Sequence, residues 1–249
     1  MKYGLCNLSV IPLRLDPSNT SEMVSQLLYG EHFKIIEERN GWCYIRLAFD
    51  GYEGWIDHKQ YTEISAEVYH ILDEKPSKIT MDIMEFITNE FSQLVPIPLG
   101  SHLNASPFLK HTHDGNVQEN FHNKANLIRT ALLYLNTPYL WGGKTPFGID
   151  CSGFTQMVYK LNGFKLLRDA KQQATQGESL SFIEESEPGD LAFFDNNEGC
   201  IVHVGIIMND NYIIHAHGKV RIDRLDHSGI FNLDTGKHTH QLRVIKKII

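Results

Sequence analysis

No apolar run in this sequence approaches the roughly 18 residues that a membrane-spanning helix needs, so no membrane partner is expected. Basic residues are also scarce, since 23 Lys and Arg stand against 30 Asp and Glu and leave a net charge of −7. Binding to nucleic-acid phosphates needs a basic excess, so nucleic acid is not expected as a partner. The four cysteines form no C-x-x-C pair, and the N-terminus has no basic segment followed by an apolar stretch and a cleavage site. These absences predict free thiols and a cytoplasmic protein.

The composition is that of a globular, water-soluble protein, with 42% hydrophobic and 21% charged residues. Residues 1–64 contain short strand-like runs separated by turn signals at Arg39-Asn40-Gly41 and Asp50-Gly51, which predicts hairpins. With the steps Gly30-Glu31 and Gly54-Trp55-Ile56, this order resembles a bacterial SH3-like domain. Such a domain is a small all-β barrel.

The next segment, 65–108, has a less regular pattern. Strand-like runs cover 68–72, 79–83 and 94–100, whereas 84–87 has the composition of a helical turn. The pattern predicts a second, degenerate SH3-like barrel. The alternative is a bridging segment that packs on its neighbours.

The polar stretch 109–122 is predicted to be a linker. Two of its histidines, His111 and His113, have no further ligand at metal-binding spacing, so no metal site is expected there. From residue 123 the pattern changes to helices followed by strands. Residues 123–249 are therefore predicted to form a separate domain.

One cysteine, Cys151, lies at a change of local structure. A stripe of apolar residues at i, i+3, i+4 and i+7 predicts an amphipathic helix: Phe154, Met157, Val158 and Leu161. Asp150 is a good N-cap, so Cys151 would lie in the first turn, where the helix dipole lowers the pKa of a thiol. The alternative is a small buried residue at a helix start.

Two histidines flank a predicted hairpin further along the chain. His203 interrupts an apolar run that predicts a buried strand, and after a turn at 209–211 a second strand ends in His215. With a two-residue loop, Val204 lies opposite His215 and the two imidazoles face opposite sides. With a three-residue loop, Gly205 lies opposite His215 and the rings share a face. For His203 alone, the alternative is a neutral, hydrogen-bonded core histidine.

These three residues can fill the roles of a catalytic triad. A thiolate nucleophile needs a base, and the base needs a group that orients it. Cys151, His203 and His215 would supply nucleophile, general base and orienting group in that order. Backbone N–H groups at the start of the Cys151 helix, with the Tyr139 hydroxyl, would stabilise the oxyanion.

Six stretches then follow one another in an order that resembles the NlpC/P60 family of cell-wall peptidases. They are Tyr139-Leu140-Trp141-Gly142-Gly143, Asp150-Cys151-Ser152-Gly153-Phe154, Leu167-Arg168-Asp169-Ala170, Pro188-Gly189-Asp190-Leu191, His203-Val204-Gly205-Ile206 and Ile214-His215. The resemblance implies an α+β fold, in which a papain-like catalytic domain is preceded by small all-β SH3-like barrels. It also implies a Cys-His-His catalytic set, and no cofactor is expected.

An SH3-like domain ahead of such a domain is similar to γ-D-glutamyl-L-diamino acid endopeptidases of the dipeptidyl-peptidase VI type. This implies hydrolysis of the bond between γ-D-Glu and meso-diaminopimelate or Lys in murein tripeptides or tetrapeptides with a free N-terminal L-Ala, in cell-wall recycling. Tyr52 matches the tyrosine that recognises that free N-terminus. Asp150 and Ser152 match residues that contact the peptide, and Trp141 with Tyr139 would line the cleft. A carboxylate at Asp150 suits a substrate ammonium, the alternative being a helix cap alone. The protein is expected to be a monomer.

Three other functions are compatible with parts of this pattern. A zinc-binding module could use the C-x-x-H pair Cys200 and His203 with Cys151 and His215, but it gives the glycine-rich loop no role. A wall-binding protein could rely on the SH3-like region and carry an inactive peptidase. A cell-wall amidase or acyltransferase of the same superfamily would use the same nucleophile.

Overall fold

The computed structural model describes residues 1–119 and 122–249, which form two compact units. The first unit contains 1–119 and 141–146, and the second contains 122–140 and 147–249. Two residues of the predicted linker, 120 and 121, lie outside the described residues. The domain limits at 64, 108 and 122 stay predictions.

Seven strands make the main sheet of the first unit: β1 (Lys2–Leu5), β2 (Val10–Arg14), β3 (Met23–Leu28), β4 (His32–Arg39), β5 (Trp42–Leu47), β6 (Glu53–Asp57) and β7 (Thr62–Ile64). They pair in the order β3-β2-β6-β5-β4-β1-β7. The β4–β5 hairpin turns at Asn40 and Gly41, whose φ angles are 50° and 81°. Two left-handed residues match the twist of a two-residue hairpin loop, so this predicted turn is confirmed. Ile11, Phe33 and Ile45 pack in the apolar core of the sheet.

The rest of the first unit combines short helices and strands: α1 (Ala66–Glu74), α2 (Ser106–Leu109), β8 (Lys78–Thr80), β9 (Met84–Thr88), β10 (Leu94–Pro98), β11 (Val117–Glu119) and β12 (Lys144–Thr145). Strand β9 pairs with β10 and β8 pairs with β11, each as a separate two-stranded sheet. The second barrel over 65–108 stays a prediction.

Two local interpretations in this segment are wrong. Residues 68–72 lie in helix α1 rather than in a strand, because Ser65 caps the helix and Tyr69 and Leu72 are buried at helical spacing. Residues 84–87 lie in strand β9 rather than in a helical turn. Short apolar runs do not separate the two periods, so packing decided both cases.

The second unit contains three helices and eight strands: α3 (Leu127–Leu132), α4 (Cys151–Leu161), α5 (Ala170–Gln173), β13 (Gly148–Ile149), β14 (Glu178–Leu180), β15 (Leu191–Asp195), β16 (Ile201–Ile207), β17 (Tyr212–His217), β18 (Lys219–Asp226), β19 (Gly229–Asn232) and β20 (Lys237–Lys247). Strands β14 to β20 pair in the order β14-β20-β15-β16-β17-β18-β19, and pairing of β19 with β20 closes six of them into a barrel. Helix α4 is buried along its whole length and contacts β16 and β17. The predicted α+β fold is confirmed.

Single 3-10 turns occur at His58–Gln60, Leu103–Ala105, Lys124–Asn126, Ile183–Glu185 and Asn209–Asn211. In the part of the chain that the structure describes, no helix has both the length and the apolar character to cross a membrane.

Candidate active site

Cys151 is the first residue of α4. The preceding Asp150 has an extended backbone, and its carboxylate accepts a 2.6 Å hydrogen bond from the N–H of Gly153. This bond satisfies one of the helix-start N–H groups that have no partner inside the helix. The cap therefore places Cys151 in the first turn, as predicted, with only 7% of the residue exposed.

The Asp150 carboxylate has a second partner, the guanidinium of Arg168. Arg168 is 1% exposed and donates to the two Asp150 oxygens at 3.0 and 2.6 Å. It also donates to the Ser152 hydroxyl at 3.0 Å. The planar guanidinium of arginine suits such a bidentate hydrogen bond to a carboxylate. The structure thus confirms the capping role of Asp150 and shows an ion pair that the sequence interpretation missed.

The two predicted histidines meet across the β16–β17 hairpin. Gly205 pairs with His215, which is the register of the three-residue loop. His203 Nε2 lies 2.8 Å from His215 Nδ1, and both residues are buried. A Cβ on Gly205 would lie 2.9 Å from the Cβ of His215, closer than side chains pack. Glycine at 205 therefore leaves the space that the His203–His215 bond occupies.

A carboxylate that the sequence interpretation missed extends this pair. His215 Nε2 lies 3.0 Å from Oδ2 of Asp223, a fully buried residue on β18. Arg221 donates to both oxygens of Asp223 at 2.7 and 2.9 Å. Because a carboxylate accepts, we assign the proton of His215 to Nε2. Its Nδ1 then accepts from His203 Nε2, and the lone pair of His203 is left on Nδ1.

Two further histidines, His217 and His240, lie close to His203. The ring of His240, on β20, stacks on His203 with 4.2 Å between centroids and 25° between planes. His217 lies with its ring centroid 4.8 Å from that of His240 and 6.1 Å from that of His215. The sequence analysis did not identify His240 as a residue of the site. His240 reaches His203 from β20, which lies two strands away from β16, across β15.

Burial keeps both proposed reacting groups uncharged. It raises the pKa of Cys151 to about 12, although a backbone hydrogen bond from Val204 and the charge of Arg168 act in the opposite direction. Burial, with the neighbouring His215, lowers the pKa of His203 well below its usual value. The sequence interpretation expected the helix dipole to lower the thiol pKa, but the apolar surroundings outweigh it. The thiol can therefore give its proton to a neutral imidazole when it attacks.

The carboxylate end of the histidine pair stays ionised. Burial acts to raise the pKa of Asp223, but hydrogen bonds from His215, Arg221 and the Leu233 N–H outweigh it and hold the pKa far below the usual value. A permanent anion beside His215 favours a positive charge on the histidines as it forms. The arrangement suits a base that must become an imidazolium during the reaction.

The other predicted site residues lie in both units. Tyr139 is half-buried in the second unit, where burial and the charges of Cys151 and Asp150 raise its pKa. Its hydroxyl thus keeps its proton and can act as a donor. Trp141 and Tyr52 belong to the first unit, and Tyr52 packs against the core of the main sheet there.

The glycine-rich loop 141–146 is held within the first unit by polar contacts. The Trp141 indole N–H donates to Glu22 at 2.6 Å, while the residue as a whole is 59% exposed. Lys144 is fully buried and its Nζ lies 3.4 Å from the Glu31 carboxylate. Gly142 has a φ of 75°, and a Cβ there would lie 2.3 Å from a backbone oxygen. The loop is therefore fixed in one conformation by charge and close packing.

The described residues contain no cluster of side chains that supports the zinc-binding alternative. Within residues 1–119 and 122–249, no group of three or more His, Cys, Asp or Glu side chains has a metal-binding arrangement. Cys200, one of the four residues invoked, is exposed.

Comparison with known proteins supports the same assignment. The NlpC/P60 family profile matches residues 136–238, and the profile of the bacterial dipeptidyl-peptidase Sh3 domain matches residues 13–60. Dipeptidyl-peptidase 6 of Lysinibacillus sphaericus is 29% identical over 258 residues, covering 86% of this chain and 88% of the relative. The γ-D-glutamyl-L-lysine dipeptidyl-peptidase of Bacillus subtilis (strain 168) is 27% identical over 237 residues, covering 86% and 75%.

The fold has a solved counterpart. The crystal structure of an NlpC/P60 family protein from Bacillus cereus ATCC 10987 superposes with a TM-score of 0.81, at 19% identity, and covers 99% of both chains. This likeness confirms the fold. Residues 136–238 therefore form an NlpC/P60 cysteine peptidase domain, and a bacterial dipeptidyl-peptidase SH3 domain at residues 13–60 precedes it.

Proposed function

We propose that this protein hydrolyses the amide bond between γ-D-Glu and a diamino acid in short murein peptides that begin with a free L-Ala. Two curated relatives are named γ-D-glutamyl-L-lysine dipeptidyl-peptidases, and both are similar along most of this chain. The observation that carries the proposal is the buried hydrogen-bonded series His203–His215–Asp223. His203 is followed in the chain by Val204, whose backbone N–H bonds to Cys151.

In this proposal Cys151 attacks the γ-carbonyl carbon of D-Glu. The thiol proton passes to Nδ1 of His203 as the S–C bond forms, and the resulting imidazolium is stabilised by His215 and Asp223. Backbone N–H groups at the start of α4, with the Tyr139 hydroxyl, stabilise the oxyanion. The C–N bond then breaks, and His203 gives its proton to the leaving amine. Water, deprotonated by His203, hydrolyses the thioester and restores the thiol.

The substrate-binding residues are part of the same proposal. Tyr52 and Asp150 would bind the free amine of L-Ala, Trp141 would line the cleft, and Ser152 would contact the peptide. Because Arg168 already bonds to both Asp150 oxygens, a substrate ammonium would share that carboxylate with the guanidinium. A charge-assisted bond of this kind makes the free amine a strict requirement.

The test is hydrolysis of L-Ala-γ-D-Glu-meso-diaminopimelate and L-Ala-γ-D-Glu-L-Lys, each with a free and an N-acetylated amine. We expect the enzyme to cleave only the free peptides and Cys151→Ala to cleave none. Cys200→Ala is the matched control, since Cys200 is an exposed thiol outside α4, and it should retain activity. Equal cleavage of free and acetylated peptides would discard the amine pocket, and no cleavage of any peptide would discard the proposed substrate.

The recycling role and the cytoplasmic location are also proposals. A free amine marks peptides that have been released, because a peptide attached through its L-Ala nitrogen has no ammonium there. Cell fractionation, with detection of the protein and of uncleaved tripeptide in a deletion strain, tests both. Tripeptide accumulation inside the deletion strain is the expected result, and unchanged tripeptide levels would contradict the recycling role.

A further inference from the structure

A polar groove, lined in part by His240, opens in the second unit. Its volume is about 690 Å³, and Asp195, Asn196, Asn197, His240 and Gln241 are among the residues that line it. No residue to which the proposed mechanism gives a chemical role lines this groove. Its hydrogen-bonding side chains indicate a polar ligand rather than an apolar one.

His240 connects the groove to the reaction. Its ring lines the groove and stacks on His203 at 4.2 Å. In the reaction proposed above, the proton on His203 goes to the leaving amine, so that amine must come within hydrogen-bond reach of the His203 ring. The amine belongs to the diamino acid. The groove therefore lies where the remainder of the diamino acid can extend.

The local backbone aims Asp195 at this groove. Phe194 pairs with His203 across β15 and β16, but Asp195 pairs with Ile201, so that Val202 is an extra residue. A second irregularity lies between Phe193 and Phe194 in the pairing of β15 with β20. Bulges of this kind bend a strand and redirect the side chains beside them. They account for a groove lined by both Asp195 and His240, which come from neighbouring strands.

Asp195 is the one carboxylate among the described residues that line the groove. The lining histidines His227 and His238 have carboxylate partners of their own, at 3.2 and 2.8 Å. The carboxylate of Asp195 lies 3.6 Å from Nε of Arg243, a side chain that is 63% exposed, whereas the Asp195 side chain is 9% exposed. This pair is long and its guanidinium lies in solvent, so an ammonium in the groove can join or replace the arginine.

We propose that Asp195 binds the ω-ammonium of the diamino acid on the leaving side of the scissile bond. This proposal rests on the proposed function, because it assumes a γ-D-Glu-diamino acid substrate. A shielded carboxylate makes a charge-assisted hydrogen bond to a primary ammonium, and a neutral side chain of equal length gains none. Asp195 thereby selects a diamino acid over an aliphatic residue.

The test compares L-Ala-γ-D-Glu-L-Lys with L-Ala-γ-D-Glu-L-norleucine, which lacks only the ammonium. For the native enzyme we expect kcat/KM to favour the lysine peptide by about tenfold or more, the size of one charge-assisted bond. In Asp195→Asn this ratio should fall to about one. The ratio is the readout because any general effect of the substitution on folding or chemistry acts on both peptides and cancels.

Asp226→Asn is the charge-matched control, since Asp226 is a nearby carboxylate that does not line the groove, and it should keep the native ratio. A native enzyme without preference, or an Asp195→Asn variant that keeps the preference, overturns the role of Asp195. Cleavage of both peptides in that case leaves the proposed function standing. Cleavage of neither peptide by the native enzyme overturns the proposed function and this one with it.

Discussion

Replacing Asp223 by Asn tests the hydrogen-bonded histidines most directly. Asp223 makes a charge-assisted bond to His215 and fixes its proton on Nε2. Asparagine can donate as well as accept at this position, so it no longer determines which nitrogen of His215 carries the proton. A hydrogen bond to a charged group contributes roughly 1.5–3 kcal/mol. At about 1.4 kcal/mol per tenfold in rate, its loss should lower kcat by roughly 10- to 150-fold.

The assay is steady-state hydrolysis of the γ-D-Glu-Lys tripeptide, with kcat and KM determined separately. KM should change little, because Asp223 acts through His215 and does not touch the peptide. Asp234→Asn is the matched control: Asp234 also pairs with Arg221, at 2.8 Å, but not with His215. It should retain kcat within about twofold. An Asp223→Asn enzyme with native kcat, or one no slower than Asp234→Asn, would refute the reasoning.

Three further predictions follow from buried contacts. His240→Ala should lower kcat about tenfold with little change in KM, because the ring that stacks on His203 and orients it is lost. His240→Phe keeps an aromatic ring and should restore most of the kcat in the same assay. Equal loss of kcat in both variants would contradict a stacking role. Lys144→Met should lower the free energy of unfolding in urea by about 3–5 kcal/mol, because the buried Glu31 loses its ion pair with Lys144. Adding Glu31→Leu should recover most of that loss; no recovery would mean that the changed shape of the side chain, rather than the lost charge, destabilises the protein. In a Cys200→Ala background, iodoacetamide should alkylate Cys151 at a rate that rises about tenfold per pH unit beyond pH 9. The reason is that burial raises the pKa of Cys151 to about 12. A rate that stays constant between about pH 5 and 9 would instead reveal a thiolate–imidazolium pair.

The sequence predicted the parts of the site that depend on local pattern. Helical spacing and a capping aspartate predicted α4 with Cys151 in its first turn, and the structure has both. The hairpin of His203 and His215 was also predictable, because turn residues and strand period leave two registers to choose from. Packing then selected the register in which Gly205 lies opposite His215.

The parts that the sequence did not predict depend on contacts distant in the chain. Asp223 reaches His215 from the next strand of the barrel, and His240 reaches His203 from β20, which lies two strands away from β16. The capping role of Asp150 could be read locally, but its ion pair with Arg168 could not. The thiol pKa was misjudged for the same reason, since the burial of Cys151 is a property of the whole unit.

The glycine-rich loop of the first unit has a consequence for how the chain is made. Lys144 and Glu31 are 113 positions apart in the sequence, yet they form one buried ion pair. During synthesis the N-terminal residues leave the ribosome long before Lys144 does, so the Glu31–Lys144 ion pair can form only after Lys144 has emerged. The first unit can therefore reach its final stability only after all of residues 122–140, which belong to the other unit, have been translated. The two units are thus interleaved in the order of synthesis, because 141–146 belong to the first unit and the residues on both sides of them belong to the second.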